Sequence, residues 1–233
     1  GLSNVGARKY LEQKLPQLQG IDTCVITNVA GNTVEEYGQV VEIVQNHPRI
    51  DGFEINVSCP NVERGGLAFG THSKTTAAVV RTVRRATAKP VIVKLTPNVT
   101  DIAEIARAAE DSGADAISCI NTVVGMAIDI HSRRPKLAKI SGGLSGPAIK
   151  PIALAKVYQV ARAVQLPVIG VGGIMGWQDA VEFLLAGASA IQIGTLNFVE
   201  PDGAMRLIAG LKAYCRENSI ARLCELTGSM RPD

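Results

Sequence analysis

Short apolar runs rich in β-branched residues alternate along the chain with stretches in which apolar positions recur every three or four residues. The first kind fills residues 23–29, 52–57, 91–95, 116–121, 168–171 and 190–193; the second fills 34–45, 74–86, 102–112, 151–164, 177–185 and 203–214. Runs such as "VIVKL" are too continuous for half-exposed antiparallel strands, and the stretches between them carry the period of helices. Asn32 and Asp101 are candidate N-caps, and Gly113 and Gly187 stand where helices should end. The phrases "DSGADAISCI" and "LAGASAIQIG" repeat one pattern of helix end, Gly-Ala and strand. Six β-then-α units in a row imply a parallel sheet covered by helices, either an open doubly wound sheet or a closed TIM (β/α)8 barrel. The barrel typically takes about 250 residues and eight strands. Six strands in 233 residues fall two short of that barrel, which fits missing N-terminal strands; one domain over 1–233 is expected, and the opening "GLSNVG" reads as the middle of a longer protein.

Composition narrows the classes. Hydrophobic residues make up 46% of the chain, enough for a substantial core, and 24 basic against 21 acidic residues leave a net charge of +3. Without a basic block or aromatic-basic interleaving, nucleic acid is a poor candidate partner. No apolar run approaches the roughly 18 residues that span a bilayer, and the start has no signal-peptide pattern, so a soluble cytoplasmic protein is expected. Five widely spaced cysteines form neither a disulfide framework nor a CxxC pair, and no Cys/His cluster has metal-site spacing. Cys24, Cys119, Cys215 and Cys224 read as core filler. His47, His72 and His131 are isolated, with no triad arrangement about them.

In either architecture chemistry gathers at the C-terminal ends of the strands, and the polar residues concentrate there. Asn28 closes the first strand, Asn56, Cys59 and Asn61 follow the second, Lys94 lies in the third, and Asn121 and Thr122 end the fourth. Each amide offers a donor and an acceptor on one flat group, which suits a planar heterocycle. "GVGGIMG" after the fifth strand and "IGT" at the end of the sixth resemble a phosphate cradle. A Rossmann fingerprint is not met, because Met175 occupies the place of its third glycine. "ISGGLSGPAIKP" ends a connection of roughly two dozen residues, a length usual for lids or binding loops. In "INVSCPN", Cys59 lies beyond a strand end, beside Pro60 and one strand from Lys94, where a catalytic thiol and a packing thiol are both open readings.

"EINVSCPN", "GGLAFGT", "VKLTPNVTDI", "CINTVVGM", "GGLSGPAIKP", "GVGGI" and "IGT", in this order, closely resemble the class 1 dihydroorotate dehydrogenases over essentially the whole chain. "NVERGGLAFGT", "KLTPNVTD" and "GMAIDIHSRRPKLAKISGGLSG" resemble the catalytic subunit of the NAD-linked class 1B type. The resemblance implies a TIM barrel holding FMN that oxidises (S)-dihydroorotate to orotate in pyrimidine (UMP) synthesis. It implies that Cys59 is the general base at C5 while hydride leaves C6 for the flavin. It puts Asn56, Asn61, Asn121 and Thr122 on the substrate, with Gly1 and Leu2 at the pocket edge. Asn28, Asn56, Lys94, Ile120 and Gly146 would contact FMN, and Gly172, Gly173, Gly194 and Thr195 would hold its phosphate. Lys94 would stabilise negative charge on the reduced ring. The class 1B type passes electrons to NAD⁺ through a partner subunit carrying FAD and a [2Fe-2S] cluster, with the catalytic subunit a homodimer within a heterotetramer. Two other readings fit the same motifs: a dihydropyrimidine dehydrogenase-like flavin barrel, or a non-catalytic barrel remnant serving as a scaffold.

Overall fold

The computed structural model describes residues 4–58 and 66–231. The chain divides into two compact units, Gly1–Leu95 with Ala103–Ser118, and Thr96–Ile102 with Cys119–Asp233.

The first unit opens with α1 (Ala7–Lys9), which runs through a π turn at Tyr10–Lys14 into a 3-10 turn at Leu15–Leu18. No element is expected there from the sequence, because its apolar positions are too sparse to show a helical period. It is tied down by buried Leu15 and by the Tyr10 hydroxyl, 3.0 Å from Thr27 Oγ1. Then follow β1 (Ile26–Val29), α2 (Val34–Val44), β2 (Gly52–Asn56), α3 (Gly66–Thr71), α4 (Ser73–Ala86), β3 (Val91–Leu95), α5 (Ile102–Glu110) and β4 (Ala116–Cys119). The four strands are ordered β1-β2-β3-β4, and the β1–β2 and β2–β3 registers are parallel. These bounds follow the sequence expectation closely, although β1 starts at Ile26, three residues late, and leaves Cys24 exposed.

Within the apolar runs a period of two is concealed. Side chains alternate between the faces of a strand, and Phe53, Ile55, Val91, Val93, Leu95 and Ile117 on one face are all buried. The helices supply the matching surface: α4 buries Thr76, Ala77, Val79, Val80 and Val83, a stripe at helical spacing, and turns Arg81 and Arg85 away. Each fully buried aliphatic or aromatic side chain contributes about 1.5–3 kcal/mol of transfer free energy. Tyr37 and Phe69 close this core edge to face, with centroids 5.8 Å apart.

Caps and turns account for the element ends. The N-cap of α2 is Thr33, whose Oγ1 accepts the Glu36 N–H at 3.2 Å, and not Asn32 as expected. Asn32 instead donates its backbone N–H and its amide to Glu36 Oε2, at 2.6 and 2.8 Å, and its N–H is the main cause of that carboxyl's lowered pKa. The two Gly-Ala repeats end their helices alike. Gly113, at φ 95°, donates to Glu110 while Ala114 donates to Ala109; Gly187, at φ 120°, donates to Leu184 while Ala188 donates to Phe183. That paired bonding requires a left-handed residue, for which glycine carries no Cβ penalty.

The second unit contains β5 (Val123–Met126), β6 (Ile128–Asp129), β7 (Arg134–Pro135), β8 (Ser141–Leu144), α6 (Lys150–Ala161), β9 (Val168–Val171), α7 (Trp177–Leu185), β10 (Ala190–Gln192), α8 (Leu196–Val199) and α9 (Gly203–Glu217). β9 and β10 are parallel. The long connection expected as a loop is an antiparallel ribbon: β5 pairs β8 from Val123↔Leu144 to Met126↔Ser141, and β6 pairs β7 at its tip. Its glycines hid the strand character of β8, since Gly is depleted from strands. Here Gly143 is needed, because a Cβ on it would collide with the Thr122 side chain. Among the described residues no helix is long and apolar enough to cross a membrane.

Candidate active site

In the first unit the register sets Asn28 opposite Glu54 and Asn56 opposite Lys94. With the strand period of two, these four side chains share the face opposite the apolar core. They are joined by polar contacts. Glu54 Oε2 accepts from Asn28 Nδ2 at 2.7 Å and lies 3.6 Å from Lys94 Nζ, while Oε1 accepts from the Ser118 hydroxyl at 2.8 Å. The side chain of Glu54 is only 7% exposed, so its charge is held by these donors and not by bulk water. Neither Glu54 nor Ser118 is among the residues expected from the sequence. A lone carboxylate inside "GFEIN" was the available signal, since a charge in a buried strand requires partners.

The end of β2 is fastened as firmly. Tyr37 donates its hydroxyl to the Asn56 carbonyl at 2.9 Å, Asn56 Oδ1 accepts the Ser58 N–H at 3.2 Å, and the Ser58 hydroxyl donates to the Lys94 carbonyl at 2.8 Å. Asn56 and Ser58 are both buried. The backbone leading to Cys59 is thus anchored at its last described residue. Gly1, Leu2, Cys59 and Asn61 lie outside the described residues.

In the second unit Asn121 Oδ1 accepts the Thr122 N–H at 2.7 Å, and Asn98 grips the stretch that follows. Its Nδ2 donates to Thr96 Oγ1 and to the Thr122 carbonyl, both at 3.0 Å, and its Oδ1 accepts the Val124 N–H at 3.0 Å. Asn98 was not expected; in "TPNVT" it reads as an ordinary turn residue.

The expected glycine cluster is brought together in the same unit. A Cβ on Gly173, at φ 78°, would lie 2.8 Å from both the Gly146 carbonyl oxygen and the Lys150 nitrogen, so only hydrogen fits. A Cβ on Gly172 would lie 2.7 Å from Ala153 and 3.4 Å from Ile120, and one on Gly146 would lie 3.4 Å from Thr195. Ile120, Gly146, Gly172, Gly173 and Thr195 are therefore neighbours. Space is open at Gly194, where a Cβ would meet nothing within 4 Å. Thr195 donates its hydroxyl to Ser145 Oγ at 3.0 Å. The open space at Gly194, next to the Thr195 hydroxyl, leaves room for a small anion such as a phosphate.

Asp179 holds the "GVGGIMG" turn by accepting the Met175 and Gly176 N–H groups at 2.8 and 3.1 Å and Lys150 Nζ at 2.7 Å. Burial disfavours its charge, but the Lys150 ammonium and the two N–H groups outweigh burial and hold the carboxyl below its ordinary value. Lys150 is raised in turn, first by Asp179 and then by Glu182, whose Oε1 is 3.0 Å away. Of the cysteines read as filler, Cys119 is buried, and burial drives its thiol far up against the opposing charge of Lys156. Cys215 is half-buried, whereas Cys24 and Cys224 are exposed and do not fill the core.

A family model described as "Dihydroorotate dehydrogenase" matches residues 1–214. The dihydroorotate dehydrogenase B (NAD(+)) catalytic subunit of Geotalea uraniireducens is 54% identical over 230 residues, covering 99% of this chain and 75% of its own. Its counterpart from Geobacter sulfurreducens is 55% identical over the same length and coverage. Among solved structures, Eimeria tenella DHODH in complex with ferulenol superposes with a TM-score of 0.76 at 22% identity, covering 95% of this chain and 66% of that one. This last likeness speaks to the fold alone, and it agrees with the α/β, TIM-type arrangement expected from the sequence, with about six of the eight βα units in this chain. By its sequence relatives and its family match, the chain belongs to the dihydroorotate dehydrogenase family.

Proposed function

We propose that this chain is the catalytic part of an FMN-dependent dihydroorotate dehydrogenase of the NAD⁺-linked type, which oxidises (S)-dihydroorotate to orotate in pyrimidine synthesis. The observation that carries the reading is the shared polar face of Asn28, Glu54, Asn56 and Lys94 at the ends of parallel strands, in a chain whose relatives are such catalytic subunits.

The bare glycine backbone around Gly173 and the open space at Gly194 fit the phosphate of FMN, with Gly172 and Thr195 completing the cradle. Asn28, Asn56, Lys94, Ile120 and Gly146 are the residues to contact the rest of the cofactor. When bound, FMN supplies the acceptor for the substrate's hydride. Asn56, Asn61, Asn121 and Thr122 orient the planar substrate through paired donors and acceptors, with Gly1 and Leu2 at its edge. Cys59 takes the proton from C5, a role suited to a thiol because its pKa is tuned towards neutrality far more easily than a hydroxyl's. Lys94 offers positive charge to the reduced ring. A partner subunit carrying FAD and a [2Fe-2S] cluster, a homodimer within a heterotetramer, and a cytoplasmic location belong to the class 1B reading; the relatives' names support its NAD⁺ link and its catalytic-subunit role.

The reading is tested by mixing the FMN-loaded natural protein with dihydroorotate and, separately, with dihydrouracil, and following the flavin absorbance. Bleaching by dihydroorotate is expected; bleaching by dihydrouracil alone would overturn it in favour of a dihydropyrimidine dehydrogenase-like enzyme.

A further inference from the structure

Glu54 has no role in the substrate and cofactor assignments above, yet it pairs with two of their first-unit residues, Asn28 and Lys94. Its Oε2 takes the Asn28 amide at 2.7 Å and lies 3.6 Å from Lys94 Nζ, and its Oε1 takes the Ser118 hydroxyl at 2.8 Å. Side chains from β1, β3 and β4 converge on this one β2 carboxylate: Asn28 is its direct partner on β1, Lys94 lies two residues beyond its β3 partner, Ile92, and Ser118 reaches it from β4. A carboxylate here is not required for strand pairing, which is backbone bonding, and its burial costs free energy that a buried apolar residue would not.

We propose that Glu54 is a positioning residue that fixes Lys94 and Asn28 towards the flavin and whose negative charge, set against that of Lys94, restrains the reduction potential of bound FMN. The proposal rests on the FMN-binding reading given above. Reduction adds negative charge to the ring system, which Lys94 favours and Glu54 opposes. The side chains of Lys94 and Glu54 are only 20% and 7% exposed, so bulk water and salt screen this balance weakly. Removing the carboxylate charge takes away the negative charge set against Lys94 and favours the reduced form.

The test uses the FMN-loaded natural chain and its variants Glu54→Gln and Glu54→Asp, titrated with a chemical reductant against indicator dyes, together with the FMN dissociation constant of each. In Glu54→Gln the preference for reduced over oxidised FMN should rise roughly tenfold, a positive shift of ~30 mV for a two-electron couple. Glu54→Asp keeps the charge and shortens the reach; it should hold the wild-type potential while binding FMN severalfold more weakly. An unchanged potential in Glu54→Gln overturns the proposal. So does a shifted potential in Glu54→Asp with unchanged FMN affinity, a result that needs no Gln variant to fold. Because the reductant is chemical, failure of the wild type to be bleached by dihydroorotate would count against the substrate reading and leave this comparison standing.

Discussion

Asn98 and Thr122 are joined by a 3.0 Å bond from the Asn98 side-chain amide to the Thr122 carbonyl, and the same amide accepts the Val124 N–H through its oxygen. One side chain therefore satisfies the backbone on both sides of the entry to β5 and sets the direction of Thr122. Replacing Asn98 with Ala should remove three side-chain bonds, each worth about 1 kcal/mol. The expected result is a KM for dihydroorotate raised roughly tenfold, the equivalent of one such bond, with FMN content retained. Steady-state kinetics beside the flavin-to-protein absorbance ratio checks both.

Cys59→Ala should slow bleaching of the flavin by dihydroorotate at neutral pH by roughly 10²–10⁴, the usual worth of a general base. FMN binding should persist. Cys59→Ser should recover part of the rate as pH rises, since a hydroxyl needs a stronger base to assist it. Stopped-flow reduction across pH measures this, and an unchanged rate in Cys59→Ala would remove the thiol from the chemistry.

The glycine cradle is tested by two alanines with opposite signatures. Gly173→Ala places a methyl 2.8 Å from the Gly146 oxygen and the Lys150 nitrogen at a φ of 78°, and should cost at least ~1–2 kcal/mol of stability. Gly194→Ala meets nothing in the protein and should leave the thermal midpoint within a degree or two. It should nevertheless weaken FMN binding, because its methyl enters the space assigned to phosphate. Calorimetry of apoprotein and FMN titration separate the two effects.

Acid should act through Asp179. Its folded pKa lies below the ordinary carboxyl value, so its contribution is complete above that ordinary value and is lost as pH falls through the lowered folded one. Lys150 is raised, so its share is complete below the ordinary lysine value and fades as pH climbs through the raised one. Asp179→Asn should lower the melting temperature by a near-constant amount between about pH 6 and 9. The gap from wild type should narrow towards pH 3, as melting curves across pH would show.

Much of the fold was legible because it rests on local chemistry. Strand and helix bounds followed from apolar periodicity, and the twin endings at Gly113 and Gly187 followed from the one residue that enters the left-handed region without a Cβ penalty. Asn32 was misplaced as a cap because Thr33 beside it has the same chemistry, and only the observed bond to the Glu36 N–H separates them. Apolar periodicity does not reveal the ribbon of residues 123–144, because β8 is glycine-rich and its pairing with β5 joins segments distant in sequence.

The candidate residues were readable as types at strand ends; their associations were not. Motif spacing records position along the chain, and it put Asn28, Asn56, Lys94, Asn121 and the glycines at or near the ends of strands. Only the tertiary structure brought Glu54 under Asn28, Lys94 and Ser118, and Asn98 onto Thr122. Cross-strand register decides which side chains meet, and register is a relation between distant segments. A lone Glu in an apolar run announces only that a partner must exist; the fold names it.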